Sequence, residues 1–179
     1  MLNWIRKALR AEDGLAAVEF AMLAPILVAM FLGSIELTDA LACKQKVTGM
    51  ASTAADLIAQ EKQVASTDLG NVYSAINSIV YPYPTTGLKI VISSVIDNGA
   101  GGAKVAWSCA QNATARTVNS AVTVPTGVIT TGGSVILAEV TYPYTSTIAK
   151  YLSGTTNMTT SFYARPRRST TITGPGSCP

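Results

Sequence analysis

The sequence predicts an α+β chain: a long N-terminal helix that starts in a membrane, a second helix, and a small antiparallel β-sheet. Three observations carry this. Between Leu15 and Ile35 the run is predominantly apolar and its only charge is Glu19. Apolar residues then recur at three- and four-residue intervals to about Lys62, the spacing of one helix face. From Leu88 onward, short runs of β-branched and aromatic residues alternate with glycine-bearing connections. A length of 179 residues accommodates an anchor and one modest domain.

Taken in order, residues 1–14 read as a short leader containing Arg6, Lys7 and Arg10. The apolar run that follows rises about 31 Å as a helix, which matches a hydrocarbon core of about 30 Å. Residues 15–36 are therefore the expected transmembrane segment. Basic residues ahead of it favour a cytoplasmic N-terminus, although Glu12 and Asp13 dilute the leader and Lys44 and Lys46 lie beyond the span. Pro25 removes a backbone donor and crowds the preceding turn, so a kink is expected there. The helix continues as an amphipathic segment over 37–62, with Leu37, Leu41, Val47, Met50, Ala51, Ala54, Leu57 and Ile58 recurring along it.

Residues 63–179 form the expected exported α+β domain. Its helix should start with Ser66 or Thr67 as N-cap, line its inner face with Leu69, Val72, Tyr73, Ile76, Ile79 and Val80, and end before Pro82 and Pro84. Leu88 to Asp97 and Lys104 to Cys109 flank a glycine-rich hairpin connection over 98–102. Further strands are expected over Val118 to Val124, Ser134 to Tyr144 and Met158 to Arg165, with an irregular Thr/Gly/Pro-rich tail from Ser169.

Composition excludes several classes. The chain has no histidine, which removes the commonest general base and metal ligand. No nucleophile, base and orienting group assemble from the few acids present, so no catalytic residues, metal or cofactor are expected, and no small-molecule substrate. The net charge of +3 is spread along the chain. Only Arg165, Arg167 and Arg168 cluster, without interleaved aromatics, which gives nucleic-acid binding no support and reads as a solvated edge. Glu139 alternates with apolar neighbours and reads as a solvent-face residue. The glycines at 99, 101 and 102 before Lys104 lack the spacing of a phosphate loop and read as a hairpin tip. Of the three cysteines, Cys109 and Cys178 are the expected disulfide, both lying in the exported part. Free thiols or a pairing with Cys43 are the alternatives. Cys43 itself reads as a small packed residue.

The most informative stretch is Gly14-Leu15-Ala16-Ala17-Val18-Glu19-Phe20-Ala21, followed by Pro25. A small residue stands at the mouth of the apolar run, with one carboxylate five positions on. A charge in lipid costs about 2.5–3.5 kcal/mol on insertion scales and usually marks a functional contact. In these residues the chain resembles TadE-like proteins, minor pilin-like components of the tight-adherence (Flp) pilus system. The resemblance is strong over about residues 14–60, with weaker echoes at Ala138 to Tyr144 and Ala164 to Arg168.

The resemblance implies a pilin-like architecture and a structural function. It implies that a prepilin peptidase cuts between Gly14 and Leu15, reading Val18, Glu19 and Phe20, and that Glu19 then pairs with the Leu15 amine of a neighbouring subunit. Partners would be the lipid bilayer, other pilins or pseudopilins, and the inner-membrane assembly platform. The protein would sit in the inner membrane as a single-pass component with its domain in the periplasm, or enter an extracellular pilus. The rival readings are a permanently anchored periplasmic adhesin or sensor, and a pseudopilin of a general secretion system. The latter family usually has Phe after the cut and a Thr-Leu-x-Glu pattern, where this chain has Leu15-Ala16-Ala17-Val18-Glu19.

Overall fold

A single helix organises the chain. In the computed structural model, which describes residues 13–146 and 154–179, helix α1 runs from Asp13 to Ala59 without a break, over 47 residues. At 1.5 Å per residue it is about 70 Å long. Pro25 lies inside α1 and does not end it. Most of the leader expected over 1–14 falls outside the described residues. The helix stops at Ala59 rather than near Lys62, because the Gln60 and Glu61 amides turn back onto the Leu57 and Ile58 carbonyls. These three-residue bonds tighten and close the last turn.

Helix α2 spans Ser66–Ile79. Its N-cap is Ala65, not Ser66 or Thr67. Alanine has no oxygen to offer, and the first turn is secured from the other side: the Ala65 amide donates to the Asp68 carboxylate at 2.8 Å. This is the half of a capping box that the third helical residue supplies. Leu69, Val72, Tyr73 and Ile76 are buried on α2, as is its C-cap Val80. Burial pushes the Tyr73 phenol up to about 12.

Five strands follow: β1 Lys89–Asp97, β2 Ala103–Gln111, β3 Ala121–Val122, β4 Ser134–Thr145 and β5 Thr155–Ala164. All pairings are antiparallel, in the order β3-β2-β1-β4-β5. The strand expected over 118–124 shrinks to two residues. Asn119 takes a positive φ of 64° and turns the chain, and Pro125 has no amide to extend a ladder.

Alternation along β4 divides the interior. Ile136, Ala138, Val140, Tyr142 and Tyr144 face the helices and join the main core with Ile90 and Ile92 of β1. Val135 and Leu137 face the other way, with Val95 and Ala103, in a smaller cluster beneath Val122, Val124, Val128 and Ile129. A bulge opposite Ser94/Val95 lets β2 keep Trp107 on the helix side and Val105 opposite Val95. On that far side Glu139 is a structural partner rather than a free solvent-facing acid. Arg116 Nε and Nη2 each donate to it at 2.7 Å, and this raises the Arg116 pKa further.

Small residues set the depth of the helix–sheet contact. Ala51, Ala54, Ala55 and Ala59 on α1 are buried beside Cys43, Val47, Met50 and Ile58. The arginine cluster is an attachment as well as an edge: Arg165 donates to the Gly127 and Val128 carbonyls, and Arg167 pairs with Asp56 on α1. The C-terminal tail docks by more than one means. Ile172 is buried, its carbonyl accepts the Trp107 indole N–H at 2.9 Å, the Val64 amide donates to the Thr173 carbonyl, and the Thr173 amide donates to the Lys62 carbonyl. Gly174 lies against the Trp107 ring with no room for a Cβ. Cys178 is joined to Cys109 of β2, their Cα atoms 5.5 Å apart. Cys43 is buried, which raises its thiol pKa.

Two outcomes test this packing. Ala54→Leu overfills the helix–sheet contact and should cost about 1–3 kcal/mol, read as a lower thermal midpoint by circular dichroism, whereas Thr48→Leu on the exposed face should stay within about 0.5 kcal/mol. Equal midpoints would refute the close approach. Non-reducing peptide mapping of envelope-derived protein should link the Cys109 and Cys178 peptides, and Cys178→Ser should cost about 4 kcal/mol on the chain-entropy account. A Cys109 peptide never linked to the C-terminal peptide would contradict it.

Candidate functional site

Among the described residues, none between Leu15 and Ile35 is buried. Leu15, Val18, Phe20, Met22, Ile26, Leu27, Met30 and Phe31 are all exposed, Met22 by 73% and Met30 by 68%. They point in every direction around the helix axis, and a helix apolar on all sides is matched to lipid rather than to a one-sided core. The helix beginning at Leu15 is long and apolar enough to cross a membrane, and no residue of its most apolar stretch is buried among the described residues.

The motif residues take definite places on this helix. Gly14 and Leu15 lie on α1 at the beginning of its described residues. Glu19 is one turn further on, on the same face as Leu15 by the four-residue spacing. Val18, Glu19 and Phe20 are exposed, and no described residue pairs with Glu19. Glu19 is thus a carboxylate on an otherwise apolar stretch, without an ion pair among the described residues. Pro25 follows at mid-span and leaves the Ala21 carbonyl without its usual donor.

Where α1 meets the domain, a cluster of tyrosines grips it. The Tyr144 hydroxyl donates to Glu36 at 3.1 Å, and the Tyr83 hydroxyl donates to the Asp39 carbonyl at 3.1 Å. The Tyr83 ring lies 6.3 Å from Tyr142 and 6.4 Å from Tyr144, and Tyr142 donates to the Pro84 carbonyl at 3.0 Å. Burial is the main cause raising the pKa of all three phenols. One helical turn on, Lys44 Nζ donates to the Thr159 carbonyl at 2.7 Å and to the Thr160 hydroxyl at 2.9 Å, fixing β5 to α1. Sequence reasoning missed this collar. Its signal is the repeated Tyr-Pro-Tyr triplet at 81–83 and 142–144. The two triplets meet in space, and a Cβ on Gly87 would come within 2.7 Å of Pro143.

The opposite end of the sheet holds a cleft of about 540 Å³ lined by Asp97, Asn98, Val122, Thr123, Thr126 and Thr130, among others. Asp97 is not a free acid there. It accepts from the Gly99 amide at 3.1 Å and the Gly132 amide at 2.9 Å, and these bonds hold its carboxyl below the usual range. It closes two loops. Among the described residues, no three His, Cys, Asp or Glu side chains converge as metal ligands would.

No curated protein and no solved structure matches the chain. The family model described as TadE-like protein matches residues 14–56, a stretch that begins and ends within α1. The part of α1 from the motif glycine through the apolar run to residue 56 is therefore similar to TadE-like proteins, and the sheet lies outside the match.

Proposed function

We propose that this chain is a structural or assembly component, a minor pilin or pseudopilin, of a tight-adherence (Flp-type) pilus. In this reading it is anchored in the inner membrane with its N-terminus in the cytoplasm and its domain in the periplasm. A prepilin peptidase removes the leader after Gly14, and the mature chain associates with other pilins and the assembly platform.

The observation that carries this is Glu19: a lone carboxylate on a helix otherwise suited to lipid, with no ion-pair partner among the described residues, five positions after Gly14 in a stretch that the TadE-like family model matches. Cleavage creates an amine on Leu15. That amine and the Glu19 carboxylate are both poorly solvated at membrane depth, and a neighbouring helix shifted along the axis can pair them. A buried ion pair is weak evidence for stability and is best attested as a device that fixes register. An uncleaved adhesin or sensor would have no use for such a carboxylate.

Intact-mass analysis of protein extracted from membranes should give a chain beginning at Leu15. A chain beginning at Met1 would overturn the processing step. Glu19→Ala should still insert, because the change removes an insertion cost, and should lose pilus assembly or co-purification with partner pilins. Unchanged piliation and unchanged co-purification would overturn the pairing role.

A further inference from the structure

We propose that the turn from Tyr81 to Pro84 is a lipid-contacting surface, seated in the headgroup layer of the membrane that α1 crosses. The inference rests on the membrane-anchor reading and goes beyond it: the domain lies against the bilayer instead of standing off on a flexible stalk.

Height along α1 comes first. Counting from Leu15, Glu36 lies about 32 Å along the helix and Asp39 about 36 Å. A hydrocarbon core of about 30 Å within a bilayer of about 40–45 Å puts both positions in the polar interface. Tyr144 binds Glu36 and Tyr83 binds Asp39, so the tyrosine collar sits at that level. The chain itself leads there. Ile79 ends α2 beside Lys46, whose Nζ donates to the Ile79 carbonyl at 3.4 Å, and Tyr83 then reaches Asp39, nearly two turns closer to the apolar run.

Chemistry agrees with height. Tyr81 is 77% exposed, and residues 80–88 carry no charge. Leu37 and Leu41, at the same height on α1 but on its opposite side from Asp39, are 61% and 55% exposed, so α1 itself still presents apolar surface at this level. Tyrosine, with an apolar ring and a polar tip, is enriched where lipid tails meet headgroups. The turn is also held in place by the Tyr142 bond to Pro84 and the close contact of Gly87 with Pro143. It cannot swing clear of the bilayer without breaking the collar.

The test uses the full-length chain in phosphatidylcholine–phosphatidylglycerol vesicles and the environment-sensitive fluorophore NBD on one introduced cysteine. Cys43 is buried and Cys109 and Cys178 are bonded, so the unsubstituted protein serves as the unlabelled control. Tyr81→Cys replaces an exposed side chain and spares the core. Val118→Cys, 53% exposed, samples the loop on the far face of the sheet, and Leu27→Cys samples mid-span. Spin-labelled lipids then quench by depth. The expected result is deep-label quenching at position 27, and headgroup- and shallow-label quenching at 81 about twofold or more above that at 118, as an interfacial tyrosine position requires. A water-like signal at 81, equal to 118, with position 27 still in the bilayer, overturns the lipid contact and leaves the anchor standing. Water-like signals at all three positions overturn the anchor reading and the contact with it.

Discussion

Lipid imposes one requirement on a spanning segment: its backbone polar groups must be satisfied from within. A helix meets that requirement, and α1 meets it without stopping where the apolar run ends. The same hydrogen-bonded rod continues for a further half of its length as the central element of the domain. What changes along it is only the side chains. Up to Leu41 the large apolar residues are exposed; from Cys43 the residues at three- and four-residue spacing are buried against the sheet and α2. The domain is built onto its anchor, and its orientation follows from the helix.

This arrangement explains why the contact surface of α1 is rich in alanine. A helix lying across a sheet and a second helix can approach closely only if its own ridge is low, and four buried alanines provide that ridge. The larger residues come from the sheet, where β4 alternates between the helix side and the far side. Fixings on both sides of this contact, Tyr83 and Tyr144 at the lower end and the Arg167–Asp56 pair at the upper end, hold β4 and β5 in line with α1. A load applied to the domain is therefore passed to the apolar part of α1 through a rod with lateral ties.

Much of this was legible in the sequence because it rests on periodicity and on residue type. The apolar run, the three-and-four spacing after it and the alternation in Ser134 to Tyr144 each have one reading. The N-cap of α2 was not legible: Ser66 and Thr67 are better caps by chemistry, and Ala65 takes the position because Asp68 serves its amide. The strand over 118–124 failed because apolar content cannot reveal the positive φ at Asn119. Glu139 looked like a solvent-face acid until the loop carrying Arg116 folded over that face, a contact between positions too far apart for local pattern to show. The tyrosine collar was visible only as two repeated triplets, whose meaning depends on their meeting in space.

The central claim is that α1 is one continuous helix from the lipid-matched run into the domain core. Residue-resolved hydrogen exchange on the full-length protein in lipid nanodiscs tests it most directly, because a helix interior protects its amides and a hinge does not. The account predicts slow exchange that carries through from the apolar run to Ala59, including residues 36–43 where the two environments meet. A gap of fast exchange between Ile35 and Cys43 would mean a flexible joint between anchor and domain, and would contradict it.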